Sequence, residues 1–133
     1  MNLQNPNLQT KKVYDLEQRT FIFSENIINI VKKIKVTPVN SRIIDQIVGS
    51  STSIGANYSE ANEAESKQDF IHKISICKKE AKETRYWLRI LKISNPEISE
   101  QLNILEKESQ EFILIFSSIV KSSKSKHVSK IEN

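Results

Sequence analysis

Residues Ser66 to Ser94 read SKQDFIHKISICKKEAKETRYWLRILKIS, a run without Gly or Pro whose apolar residues recur with helical period from end to end. Phe70, Ile74, Cys77, Ala81, Thr84, Leu88 and Leu91 alternate spacings of four and three, the pattern of a helix packed lengthwise against other helices. A second row, Ile76, Glu80, Glu83, Trp87 and Ile90, repeats on the same spacing roughly a quarter-turn away. It mixes apolar residues with carboxylates. A third row, Lys78, Lys82, Arg85, Arg89 and Lys92, lies roughly opposite the glutamates. A monomer that needs only one buried stripe can interleave charges freely, because exposed ion pairs contribute little. Sorting of charge by face therefore implies more than one contact surface on this helix.

The rest of the chain fits around that helix. At 133 residues, with 2 Gly and 3 Pro, it is long enough to bury one core without metals or disulfides and too poorly punctuated for a sheet of many short strands. The fold class expected is all-α: an antiparallel up-down-up-down four-helix bundle over residues 13–121, with a flexible leader at 1–12 and a disordered basic tail at 122–133. The leader is polar and lacks helical period. From Val13 to about Lys35, Leu16, Phe23, Ile27, Ile30, Val31 and Ile34 mark the first helix, and Pro38 stops it. The second runs from Pro38 or Asn40 to about Ala64, with Ile44, Ile47, Ser51, Ile54, Tyr58 and Ala61 on its seam. Pro96 and Glu97 restart the chain after the third helix. In the fourth, Ile98, Leu102, Leu105, Ser109, Phe112, Phe116 and Ile119 continue the four-three spacing. After Val120 the run KSSKSKHVSKIEN has little to bury.

The middle of the second helix carries both glycines, Gly49 and Gly55, among Ser50, Ser51, Thr52, Ser53 and Ala56. An interior glycine costs about 1 kcal/mol relative to alanine, so something local must offset it. Close approach of helix backbones is the first explanation, and a surface for a partner backbone or phosphate is the second. A serine nucleophile comes last, since no histidine is placed to activate one and no strand-to-helix elbow surrounds these serines.

Other chemistry is sparse. Cys77, the single cysteine, sits on the inner seam and reads as a small core hydrophobe. Asp69 and His72 form one D-x-x-H, but a di-metal bundle needs matching ligands on other helices, so a solvated or capping role is expected and no cofactor or metal is assigned. Glu80 and Glu83 serve an acid-base pair less readily than an ion pair between subunits or a solvated edge. No glycine-rich phosphate loop, zinc spacing or Cys/His dyad occurs, so nothing requires an enzyme. The start has no apolar stretch for a signal peptide, and no segment approaches a span of about 20 apolar residues. Cytoplasmic placement without a membrane partner is the default. The net charge of +4 decides nothing alone. The third-helix basic row is the one feature with an evident ligand, because nucleic acid rewards several Lys and Arg held at regular spacing. Glu60, Glu63 and Glu65 close the second helix and are candidates to neutralise it. Tyr86 and Trp87 lie near enough to stack a base.

Three stretches resemble a known family. Tyr14-Asp15-Leu16-Glu17 with Arg19-Thr20-Phe21 opens the first helix, Ser53-Ile54-Gly55-Ala56-Asn57-Tyr58-Ser59-Glu60-Ala61 lies on the second, and Ser66 to Ile71 with Lys79-Glu80-Ala81-Lys82-Glu83-Thr84-Arg85-Tyr86-Trp87-Leu88 lies on the third. Together they resemble the small four-helix-bundle proteins encoded in intervening sequences of bacterial 23S ribosomal RNA genes, and their free-standing relatives. The resemblance covers about Val13 to Lys121. It implies an antiparallel four-helix bundle assembled as a homopentamer. One branch of the family is the accessory protein of diversity-generating retroelements, which binds nucleic acid and a reverse transcriptase. This chain departs from that branch in its modest charge and the acidic end of its second helix.

The resulting expectation is a non-enzymatic, homo-oligomeric scaffold whose basic row, Lys78, Lys82, Arg85, Arg89 and Lys92, contacts RNA or DNA. The mixed row, Ile76, Glu80, Glu83, Trp87 and Ile90, is expected between subunits. The alternative is a protein-interaction adaptor with no nucleic-acid role, its basic row facing an acidic protein partner.

Overall fold

The computed structural model describes the backbone of residues 15–132 and the side chains of residues 15–125. The expected leader, residues 1–12, lies outside the described residues. Four α-helices follow in order: α1 Leu16–Val31, α2 Pro38–Asn62, α3 Lys67–Ser94 and α4 Ser99–Glu132, with one 3-10 turn, Pro96–Ile98, before the last. Each of the first three starts on a side-chain cap. Asp15, Thr37 and Ser66 accept from the backbone N–H of Gln18, Asn40 and Asp69 at 3.0 to 3.1 Å, each bond worth about 1 kcal/mol of helix start.

Two boundaries differ from expectation. The first helix closes at Val31 and not near Lys35, because Lys33 and Ile34 donate to the carbonyls of Ile30 and Val31 in a tightening turn, and Thr37 must be extended to cap α2. The fourth helix runs on through residues 122–132, where a disordered tail was expected. No Gly or Pro follows Pro96, and Lys, Ser and Glu tolerate a helix whose hydrogen bonds are already nucleated upstream.

Contacts join opposite ends of consecutive helices. Ser59 near the end of α2 bonds Glu17 at the start of α1, Glu60 pairs with Lys73 near the start of α3, and Lys92 near the end of α3 bonds Asn103 near the start of α4. Consecutive helices are therefore antiparallel. Helix α3 packs along both α2 and α4, α1 lies along α2 and meets α4, and among the described residues the two diagonal pairs make no close backbone contact. Going round the bundle the order is α1, α2, α3, α4. The α1–α2 side thus lies opposite the α3–α4 side.

The predicted seams form the core. On α3, Ile74, Cys77, Ala81, Thr84, Leu88 and Leu91 are buried, with Phe70 half-buried at the end. They meet Ile47 and Ile54 of α2, and Leu102, Phe112 and Phe116 of α4. Phe23 of α1 sets its ring edge-on to Phe112 at 5.3 Å. Buried polar groups are matched. The Thr84 hydroxyl lies 2.8 Å from Ser50 Oγ. At one end Asn40 and Asn95 exchange side-chain amide bonds of 3.2 and 2.9 Å, fastening the start of α2 to the end of α3. Among the described residues no buried side-chain nitrogen or oxygen lacks a partner.

The two glycines part company. A Cβ built on Gly55 would stand 3.1 Å from Thr20 Oγ1 of α1, so close approach of α1 and α2 accounts for this glycine. Nothing lies within 4 Å of a Cβ on Gly49; packing does not explain it.

Candidate functional site

Helical geometry sorts the side chains of α3 onto two flanks. One residue before each seam position points toward α2, as the Lys73–Glu60 pair at 3.2 Å shows. One residue after points toward α4, as Lys92 reaching Glu106 at 3.0 Å shows. The mixed row therefore lies along α2 and the basic row along α4. Both predicted rows exist as rows, on different sides of the bundle.

Along the α2 flank, Trp87 and Ile90 pack against the bundle's own core, while Ile76, Glu80 and Glu83 are half-buried. Burial, and after it the charge of Glu83, pushes the Glu80 carboxyl above the usual range. Asp69 and His72 are exposed. The Cys77 thiol is fully enclosed, lies 3.5 Å from the Ile54 carbonyl oxygen, and is pushed up to about 12 by burial. A thiol held neutral in this way is inert at physiological pH.

The basic row divides in two. Its far end is neutralised: Glu106 of α4, only 20% exposed, accepts from Lys92 and stands 3.6 Å from Arg89. Its near half is not. Among the described residues Lys78, Lys82 and Arg85 pair with no carboxylate. Lys82, Arg85 and Arg89 line a shallow depression of about 390 Å³ together with Tyr86, Gln110 and Ile113. Tyr86 is 55% exposed, its ring edge-on to Trp87 at 5.2 Å. An exposed aromatic braced by a second ring and bordered by unpaired cations suits a base and its phosphates. The expected neutralisers, Glu60, Glu63 and Glu65, do not meet this row: Glu60 goes to Lys73.

Sequence-based expectation missed Glu106, although a hairpin carries the signal. Lys92 and Glu106 are equidistant from Ser99, and an antiparallel pair joined by a short turn sets such positions side by side. It also missed a groove of about 780 Å³ between α1 and α2, where Phe21 and Ile28 are exposed beside Gly55 and the carboxylates of Asp15, Glu17 and Glu25. Phe21 and Ile28 each fall one residue after the α1 seam, and apolar residues off a seam are the signal for a second surface.

The model for the 23S rRNA-intervening sequence proteins matches residues 12–118. The chain belongs to this family. A search of curated proteins finds no match. Among solved structures, a protein of unknown function from the S23 ribosomal protein family of Bacteroides thetaiotaomicron is 36% identical. The alignment covers 79% of this chain and 97% of that one, with a TM-score of 0.71. All three stretches that carried the resemblance fall within the matched residues, and the bundle they imply is the bundle observed. Among the described residues, no helix of this family member is long and apolar enough to cross a membrane.

Proposed function

We propose that this intervening-sequence protein is a non-enzymatic, self-assembling helical scaffold that holds nucleic acid on its α3–α4 flank. One observation carries the binding half: among the described residues Lys78, Lys82 and Arg85 stand without carboxylate partners, the last two beside exposed Tyr86. Lys and Arg on a rigid helix at successive turns neutralise successive phosphates without first having to be ordered. The family's association with 23S rRNA makes structured RNA the first probe. Self-assembly as a homo-oligomer, a pentamer by family resemblance, repeats the flank and raises avidity without new contacts.

The test is charge reversal. Lys82→Glu with Arg89→Glu removes one unpaired cation and one that Glu106 partly neutralises, and lowers the log-log salt slope by about 1 to 2. Both side chains are exposed and only Arg89 has a carboxylate neighbour, Glu106 at 3.6 Å, so thermal stability stays within about 1 kcal/mol of wild type. Equal RNA affinity in the double variant at low salt refutes the assignment and favours the adaptor.

A further inference from the structure

The depression on the α3–α4 flank is more than a charged surface. Tyr86 stands on α3 with Lys82 four residues before it and Arg89 three residues after it, so the two cations flank the ring on one helix face. Across from them Gln110 and Ile113, three residues apart on α4, supply an amide and an apolar floor, Ile113 being only 8% exposed. Trp87 packs against the bundle core and meets the Tyr86 ring at 5.2 Å and 80°. An edge-on contact covers at most one face of Tyr86. With the residue 55% exposed, a flat aromatic face stays open beside the depression.

Three chemistries meet here: an aromatic face, an amide that both donates and accepts, and cations on either side. A phosphate backbone uses only the last. In a duplex each base is covered by its neighbours and its pairing edge is taken, and the major groove of A-form RNA is too deep and narrow for side chains to read. A nucleotide out of the stack offers its face to Tyr86, its edge to Gln110 and its flanking phosphates to Lys82 and Arg89. Those two cations start about 10.5 Å apart along the axis at 1.5 Å per residue. At about 390 Å³ the depression lies at the small end of the range for small-molecule sites, about 300 to 1,000 Å³, which suits one nucleotide. We propose that it is a subsite for a single unpaired nucleotide, with the base stacked on Tyr86 and its edge bonded to Gln110. This rests on the nucleic-acid function proposed above and narrows its ligand from phosphate backbone in general to looped, bulged or single-stranded positions. Every base has a π-face, so the site selects an unpaired state and not a sequence.

The test uses full-length protein with a labelled RNA hairpin that carries a single-stranded loop, and a blunt RNA duplex with the same number of phosphates, compared by anisotropy at one salt concentration. Wild type is expected to prefer the hairpin by about 5- to 150-fold, the effect of one stacked base. Tyr86→Ala is expected to bring that ratio close to 1. Tyr86→Leu, which keeps apolar cover on Trp87 without a flat face, is expected to do the same, and Tyr86→Phe to keep the preference, since stacking uses the ring and not its hydroxyl. Gln110→Ala is expected to lower the ratio by a smaller factor. Trp87 is the single tryptophan of the chain, so its emission reports on the neighbouring ring: saturating hairpin is expected to change it more than saturating duplex. A DNA hairpin is expected to show the same preference over its own duplex, because base and phosphate are common to both; a preference confined to RNA overturns the base as the group bound. A wild-type ratio near 1, or a ratio that survives in Tyr86→Ala or Tyr86→Leu with a wild-type thermal melt, overturns the subsite and leaves phosphate binding standing. No binding of either RNA at low salt refutes both.

Discussion

The glycines of α2 offer a paired test of the packing. Gly49→Ala puts a methyl group where nothing lies within 4 Å, so only the backbone term remains. Alanine is favoured over glycine in a helix interior by about 0.5 to 1 kcal/mol, and the substitution is expected to stabilise by that amount. For a domain of this size, 1 kcal/mol corresponds to a rise in Tm of roughly 4 °C. Gly55→Ala carries the same propensity gain, but its Cβ stands 3.1 Å from Thr20 Oγ1 and 3.4 Å from Thr20 Cβ. Thr20 has no room to yield: it is fully buried, and its hydroxyl donates to the Glu17 carbonyl at 3.0 Å. Overpacking of this kind costs about 1 to 3 kcal/mol, so the net effect is a loss of roughly 1 kcal/mol and a fall in Tm of a few degrees. Thermal melts followed by circular dichroism at 222 nm measure both. In a Thr20→Ala background most of the Gly55→Ala penalty is expected to vanish, since Oγ1 is gone and the remaining Cβ, at 3.4 Å, is near ordinary contact. Two substitutions of the same sign and size, or a penalty that survives in the Thr20→Ala background, would refute the α1–α2 contact as described.

Three further outcomes follow from the packing. Arg19 lies between Glu108 and Glu111 and over the Phe112 ring at 5.2 Å; Arg19→Ala is expected to cost roughly 2 kcal/mol in urea unfolding. Burial alone would raise the Glu108 carboxyl, but the hydrogen bonds from Arg19 and Glu111 and the Arg19 charge together outweigh it and leave the group below the usual range. Its contribution is therefore fully present above about pH 4.3, the unfolded value, and is lost as pH falls through the folded value; a wild-type stability that declines below that point more steeply than that of Arg19→Ala checks the sign. Asn95→Ala strips Asn40 of its buried amide partner and is expected to cost about 1 to 3 kcal/mol by the same denaturation measurement. Cys77, enclosed and held neutral, is expected to react with a thiol reagent only as fast as the bundle opens, so labelling without denaturant at the rate of a free thiol would contradict its position.

Much of the bundle was legible because α3 carries its pattern without interruption, and four-three spacing has few other physical meanings. The run from Ser66 to Ser94 without Gly or Pro, and the restart at Pro96, bounded it. Contacts between helices were less legible, since a row of charges says which face it occupies on its own helix and not what stands opposite. Glu106 illustrates this: it belongs to α4, and only the register of the α3–α4 hairpin brings it to Lys92. Gly49 and Gly55 look alike in sequence and differ only in what α1 places beside them. The stretch past Val120 was read on burial alone, whereas the helix there runs to Glu132, as a helix already begun continues where no residue breaks it.

The proposed nucleic-acid role turns on whether the unpaired half of the basic row meets phosphate. The most direct measurement is the affinity of wild-type protein for structured RNA by fluorescence anisotropy across a salt series. Engagement of Lys78, Lys82 and Arg85, with or without the partly neutralised Arg89 and Lys92, predicts a log-log slope of about −2 to −4.5. A slope near zero, or no binding at low salt, would contradict it and make that flank a surface for protein alone.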